Sequence, residues 1–155
     1  MVARCSRDSW TDAGGVVAQA EAIRDRAVAL AQNDGRVWEE ALAALHDAQS
    51  EETSDARRDF QLEQKLEEAA AVPLEIAELG ADAAALAALA GERGEGTYRA
   101  DASAAAALAA GGARAAAHLV HVNLGVRPGD PRLARARASE QAAGESADRL
   151  LEPTR

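Results

Sequence analysis

Asp34 is the side chain that the sequence places best for acid–base chemistry, because it interrupts an apolar helical stripe. Steps of three and four residues, the spacing of one helix face, connect Val16, Ala20, Ile23, Ala27 and Leu30, and the stripe resumes at Val37, Ala41 and Leu45. The same spacing continued past Leu30 reaches Asp34. A carboxylate in a buried seam is unfavourable unless it is paired, hydrogen-bonded or protonated. Asp34 is therefore either a satisfied structural group or a titratable group held for catalysis.

The neighbours of Asp34 leave another interpretation open. Asn33-Asp34-Gly35 is also typical of a turn, because these residue types tolerate turn conformations of the backbone. In a turn the carboxylate would point into solvent and would have no part in catalysis.

His118 and His121 are candidate metal ligands, because residues three apart share a helix face. No third ligand accompanies them at a matching spacing, and Cys5 and His46 lie far away in the sequence. We therefore expect ordinary core or interface histidines and no metal. Asp101 is explained as the N-cap of a helix, with a position at the rim of a pocket as the alternative.

The composition excludes several classes of protein. The chain has 155 residues, which suits one domain over residues 1–155, and a net charge of −9. An acidic chain repels phosphate backbones, so we expect no nucleic acid as a partner. The single Cys5 cannot form an intramolecular disulfide and fits a reducing cytoplasm. No apolar run approaches the roughly 18 residues of a membrane span, so we expect no membrane partner.

The periodicity predicts an all-α fold, an antiparallel bundle of long helices. The expected helical segments are the end of a helix at 1–7, then about 12–48, 54–90, 101–123 and 131 onwards. Pro73 should kink the third segment near residues 69–72, because proline removes a backbone donor. Three glycines make 91–100 the clearest loop, and Asp130-Pro131 is typical of a helix start.

The same composition favours a homodimer. Aromatic residues make up only 3% of the chain, and alanine dominates its apolar fraction. Such helices bury little apolar area per residue, so they must pack closely over a long contact. The stripe predicted for the helix at 101–123 is Leu108, Gly112, Ala115, Leu119 and Val122. Gly111-Gly112 should let a neighbouring helix approach this segment closely.

Five short segments together resemble one protein family. They are Met1-Val2-Ala3-Arg4, the run from Asn33 to Trp38, Val72-Pro73-Leu74-Glu75-Ile76-Ala77, the spacing from Gly94 to Asp101, and Val120-His121-Val122-Asn123-Leu124. Their order and spacing are similar to those of the cyclodeaminase domain of formiminotransferase-cyclodeaminase and of the related methenyltetrahydrofolate cyclohydrolases. The resemblance covers roughly residues 1–125.

This resemblance implies a dimeric helical bundle with a folate pocket between helices. The implied reaction is the cyclisation of formiminotetrahydrofolate with loss of ammonia, or the hydrolysis of methenyltetrahydrofolate. A tetrahydrofolate derivative would then be the substrate, and the partners would be this ligand and a second copy of the chain. Asp34 would be the catalytic acid or base, and Asp101 and Asn123 would orient the substrate or the attacking water.

The chain also departs from the family pattern. It begins after the family's opening helix and Pro-Gly-Gly-Gly-Ser loop, and Leu119 stands where the family has the first asparagine of a pair. Two interpretations follow. The chain is a folate-dependent enzyme whose sequence here is a truncated reading of a longer gene, or it is a non-catalytic helical dimerisation module that has kept the scaffold and lost the folate site.

Overall fold

The described residues form helices joined by short connections. The computed structural model describes residues 1–50, 55–125 and 127–151, and no strand occurs within these ranges. The helices are α1 (Val2–Cys5), α2 (Ala13–Ser50), α3 (Asp55–Ala69), α4 (Ala71–Arg93), α5 (Arg99–Asn123) and α6 (Pro131–Leu151), with a 3₁₀ turn at Gly96–Tyr98. The expected all-α helical bundle is confirmed. Ser54, which we expected to open the third helix, lies outside the described residues.

Alanine and glycine let α4, α5 and α6 pack into the central layer of the fold. Ala84 of α4, Ala113 of α5 and Ala143 of α6 are fully buried together in one cluster. Near the other end, a Cβ added to the buried Gly91 would lie 2.9 Å from Leu150 Cδ2 and 3.0 Å from the Ala102 Cβ. Small residues therefore set the separation of these three helices.

Helix α2 packs along the outside of α4 and runs antiparallel to it. Its beginning contacts the end of α4, where Val16 packs with Leu86. Its middle contacts the beginning of α4, where Leu30 packs with Val72 and Leu79. Helix α5 is antiparallel to α4 as well, so α2 and α5 run in the same direction.

The helix predicted over 12–48 is confirmed and passes through Asn33-Asp34-Gly35 without interruption. The turn interpretation of this tripeptide is therefore wrong. A Cβ on Gly35 would meet nothing within 4 Å, so the glycine weakens the helix without having to provide a special backbone conformation.

The interruption predicted at Pro73 is confirmed. Helix α3 ends at Ala69 and α4 begins at Ala71, so only Ala70 separates them. Pro73 occupies the first turn of α4, where its missing N–H is tolerated. Arg132 stabilises the junction, because its Nη1 donates to the backbone carbonyl of Glu67 at 3.0 Å and its Nη2 to the Glu67 carboxylate at 3.1 Å.

Of the two predicted helix caps, one is confirmed and the other is wrong. Asp130 does cap α6, because its Oδ1 accepts a hydrogen bond from the backbone N–H of Arg132 at 2.9 Å. Asp101 was predicted to cap α5, but this helix begins earlier, at Arg99, and Asp101 lies in its first turn. The loop predicted at 91–100 is correspondingly shorter, because α4 continues to Arg93.

The stripe predicted for α5 is not the face that packs within the chain. The opposite face of the helix is buried instead, through Ala102, Ala106, Ala113, Ala116, Ala117 and Val120. Leu108, Leu119 and Val122 are exposed. The buried face of α5 could not be distinguished from the sequence, because alanines lie on both faces of the helix. Each helix in the described parts of the chain is too short or too polar to cross a membrane.

Candidate functional site

A cavity of about 600 Å³ lies between α1, the first half of α2, the second half of α4 and the first turns of α5. Its walls are mainly apolar, with Val16 and Val17 on one side and Leu86 and Ala87 on the other. From α5, the small side chains of Ala102 and Ala105 line it.

Charged side chains surround these apolar walls. Arg4 of α1 forms an ion pair with Glu21 of α2, and both residues line the cavity. Arg24 lines it as well and donates from Nη2 to Asp25 at 2.8 Å. This hydrogen bond raises the pKa of Arg24, which keeps its positive charge. The cavity therefore has two guanidinium groups, each paired with a carboxylate of the chain, beside its apolar walls.

Asp101 lies on the wall of this cavity. It is exposed and belongs to the first turn of α5, where the positive end of the helix dipole favours a carboxylate. Its ionised oxygens can accept hydrogen bonds from a ligand's N–H groups. The alternative expectation, that Asp101 lies at the rim of a pocket, agrees with this position.

Contacts at the end of α4 hold α1 against the cavity. The Ser6 hydroxyl donates to the Val2 carbonyl at 3.0 Å and accepts from the backbone N–H of Glu95 at 2.9 Å. A Cβ on Gly94 would lie 2.9 Å from Val2 Cγ1 and 3.0 Å from Ser6 Oγ, so a side chain there would push α1 away. The neighbouring Cys5 side chain raises the pKa of Tyr98.

Asp34 is half-buried on α2 and is not among the residues that line the cavity. The lining residue of α2 nearest to it in the chain is Arg24, about 15 Å away along the helix at a rise of about 1.5 Å per residue. The half-buried position agrees with the interruption of the apolar stripe. Within one chain, Asp34 therefore lies outside this cavity.

Asn123 is half-buried at the last position of α5. Positions 101 and 123 are separated by about 33 Å along the helix axis. Asn123 and Asp34 occupy the same end of the bundle, because Ile76 packs both against the Leu30 cluster of α2 and against the cluster that contains Val120. One chain therefore brings Asp34 and Asn123 to one end and Asp101 to the other.

The two candidate histidines have different surroundings. His118 is exposed. His121 has its Nδ1 2.8 Å from the Ala117 carbonyl, and Arg137 Nε donates to its Nε2 at 3.0 Å. Because Nε2 accepts this hydrogen bond, Nδ1 is the nitrogen that donates to the Ala117 carbonyl. Within residues 1–50, 55–125 and 127–151, no three His, Cys, Asp or Glu side chains are grouped so that they could hold a metal ion.

Sequence reasoning missed Arg4, Glu21 and Arg24 as residues of a site. Glu21 and Arg24 have no distinguishing pattern, because charged residues at such positions are typical of a solvated helix face. Arg4 belongs to the Met-Val-Ala-Arg segment that carried part of the resemblance, and this segment was the available signal for it.

The family model described as formiminotransferase-cyclodeaminase matches residues 1–142 of the 155. No curated protein matches the chain. The match spans α1 to α5 and most of α6, and so includes every residue that lines the cavity. The chain therefore belongs to the formiminotransferase-cyclodeaminase family, as a cyclodeaminase domain, and this is a family of folate-related one-carbon metabolism.

Proposed function

We propose that this chain binds a tetrahydrofolate derivative in the cavity beside Asp101 and acts on one of its C–N bonds. The reaction is either the cyclisation of formiminotetrahydrofolate to methenyltetrahydrofolate and ammonia, or the hydrolysis of methenyltetrahydrofolate to formyltetrahydrofolate. The observation that carries the proposal is the cavity itself, which lies within the part of the chain matched by the family. We also propose that the protein works in the cytoplasm.

The chemistry of the cavity suits such a ligand. Its volume of about 600 Å³ falls within the range of roughly 300–1,000 Å³ typical of small-molecule sites. A tetrahydrofolate combines a bicyclic ring system bearing N–H groups, a benzoyl ring and a glutamate with two carboxylates. The apolar walls can hold the rings, and Arg4 and Arg24 can pair with the carboxylates. Asp101 can accept hydrogen bonds from the N–H groups.

Both reactions need proton transfer to or from the nitrogen and oxygen atoms attached to one carbon. In the cyclisation, N10 of the folate attacks the formimino carbon, and the resulting tetrahedral carbon releases ammonia once the departing nitrogen is protonated. In the hydrolysis, water adds to the methenyl carbon, loses a proton, and the bond from this carbon to N5 then breaks. A positioned carboxylate can donate or accept these protons. We propose Asp34 of a second copy of the chain for this role, because Asp34 lies outside the cavity of its own chain.

The assignment is tested by turnover. Purified protein should release ammonia from formiminotetrahydrofolate, or should remove the ultraviolet absorbance of methenyltetrahydrofolate. Asp101→Asn should raise KM, because the amide keeps the size of the side chain but loses its charge. Asp148→Asn, the same change at an exposed position of α6, should leave the kinetics unchanged. Equal kinetics for both variants would contradict the role of Asp101.

The separation of Asp34 and Asn123 from Asp101 within one chain favours a second candidate function. A non-catalytic helical interaction module would keep the scaffold without assembling these residues into a site. This candidate predicts that the wild-type protein neither turns over nor binds a folate, whereas the leading proposal predicts both.

A further inference from the structure

The charged residues of the cavity are spread along its length. Asp101 lies at the end where α5 begins and α4 ends, because the next residue, Ala102, lies against Gly91. Arg24 lies nearer to the middle of the bundle, because the residue before it packs against the cluster that contains Leu79. The cavity therefore has an acidic group at one end and a basic group at the other.

These two ends are well separated. The lining residues of α4 run from Ala83 to Ala90, which is about 10 Å along the helix at a rise of about 1.5 Å per residue. Asp101 and Arg24 also belong to different walls, since the first is on α5 and the second on α2. A ligand that contacts both must therefore be elongated, with N–H donors at one end and a negative charge at the other.

The two arginines that line the cavity differ in what their present partners do. Arg4 pairs with Glu21, and this ion pair joins α1 to α2. Exchanging Glu21 for a ligand would release α1. Arg24 pairs with Asp25, the next residue of its own helix, and the two side chains are 67% and 70% exposed. Because such an exposed pair contributes little to stability, Arg24 can exchange Asp25 for a ligand's carboxylate without moving a helix.

The position of Glu21 also favours Arg24 as the anion-binding residue. Glu21 lines the cavity beside Arg4, and its carboxylate would repel a carboxylate of the ligand there. Asp25 is not among the residues that line the cavity. Of the two arginines, Arg24 is therefore the one whose charge is not offset by a carboxylate on the cavity wall next to it.

We infer that Arg24 is the residue that selects for the glutamate of the ligand. The folate then lies with the N–H groups of its bicyclic ring at Asp101 and its glutamate carboxylates at Arg24, and the apolar walls between them hold its rings. This inference rests on the proposed function, because it concerns the same ligand in the same cavity. A guanidinium can bind a carboxylate through two parallel hydrogen bonds, so a compound with the same rings and no carboxylate should bind more weakly.

Titration calorimetry with two matched ligands tests the orientation. The ligands are 5-formyltetrahydrofolate and its bis-amide, in which uncharged carboxamides of nearly the same size replace both glutamate carboxylates. Wild type should bind the acid at least about tenfold more tightly than the amide. In Arg24→Gln this preference should fall below about twofold, because only the acid loses a charged partner.

Arg26→Gln is the matched control. Arg26 is exposed two residues further along α2 and does not line the cavity. The variant removes the same charge from the same helix and should keep the wild-type preference for the acid. Circular dichroism of each variant checks that the helices are retained.

Variants at the other charged positions distinguish the two ends of the cavity. Asp101→Asn should weaken the binding of acid and amide to the same extent, because it acts on the ring that both ligands share. Arg4→Gln should also weaken both equally, because it loosens α1 and removes no contact with the carboxylates.

Three results would overturn the inference. They are a wild-type preference retained in Arg24→Gln, loss of the preference in Arg4→Gln instead, and equal binding of both ligands by wild type. In each of these cases wild type still binds the folate, so the proposed function stands. Binding of neither ligand by wild type would contradict the proposed function itself, and the orientation with it.

Discussion

Gly80 of α4 lies directly against Ala113 of α5. A Cβ added to Gly80 would be 2.9 Å from the Ala113 Cβ, 3.1 Å from the Ala113 nitrogen and 3.2 Å from the Ala109 carbonyl oxygen. Two of these three atoms belong to backbone, which cannot rotate away. The separation of α4 and α5, and with it the position of Asp101 at the far end of α5, depends on the absence of a side chain at this point.

Gly80→Ala should therefore destabilise the protein. Forcing atoms into a well-packed contact costs about 1–3 kcal/mol, more than the gain in helix propensity of up to about 1 kcal/mol. Gly35→Ala is the matched control, since a Cβ there meets nothing within 4 Å, and it should stabilise the fold slightly. Urea unfolding followed by circular dichroism measures both. A Gly80→Ala variant as stable as wild type would contradict the close contact.

Arg132 should matter more to stability than Arg135, although each forms an ion pair with a glutamate. The Arg132 side chain is only 22% exposed and binds Asp130 and Glu67 with several nitrogens. Arg132→Lys keeps the charge but loses the planar arrangement of donors, so we expect a loss of about 1–3 kcal/mol. Arg135→Lys, at an exposed pair, should change stability by less than about 1 kcal/mol. Similar losses for both variants would contradict this account.

Asp130 should make the stability of the protein depend on pH at low pH. Hydrogen bonds from Arg132 lower the pKa of Asp130 from 3.8 to about 2. Because the pKa in the folded state is depressed, the ionised carboxylate stabilises the fold fully above about pH 4. This contribution is lost as the pH falls towards 2. Asp130→Asn should therefore be less stable than wild type at neutral pH, and the difference should shrink between pH 4 and 2. A constant difference over that range would contradict the assignment.

The sequence predicted the helices better than it predicted their contacts. The break at Ala70 and the start of α6 could be predicted because Pro73 and Asp130-Pro131 act through local backbone chemistry. The buried face of α5 could not be predicted, because alanine occupies both faces and does not reveal which one is inside. The cavity could not be predicted either, since α1, α2, α4 and α5 each supply a part of it and its charged residues resemble surface residues.

Asp34→Asn tests the residue proposed for proton transfer. The amide keeps the size of the side chain but cannot accept a proton, so turnover should fall by about 10²- to 10⁴-fold. The free energy of unfolding should change little, because the side chain is only half-buried. Glu39→Gln, at an exposed position of the same helix, should keep wild-type activity. An unchanged kcat in the Asp34→Asn variant would contradict the role of Asp34 in proton transfer.

Whether the cavity holds a folate is the central claim, and titration calorimetry with a stable formyltetrahydrofolate tests it most directly. Ala20 lines the cavity, whereas the nearby Ala18 is exposed and does not line it. Ala20→Phe should fill the space and weaken binding by at least about tenfold, a loss of about 1.4 kcal/mol. Ala18→Phe should bind the ligand like wild type. Equal affinity in all three proteins, or no binding by wild type, would contradict the folate site proposed here.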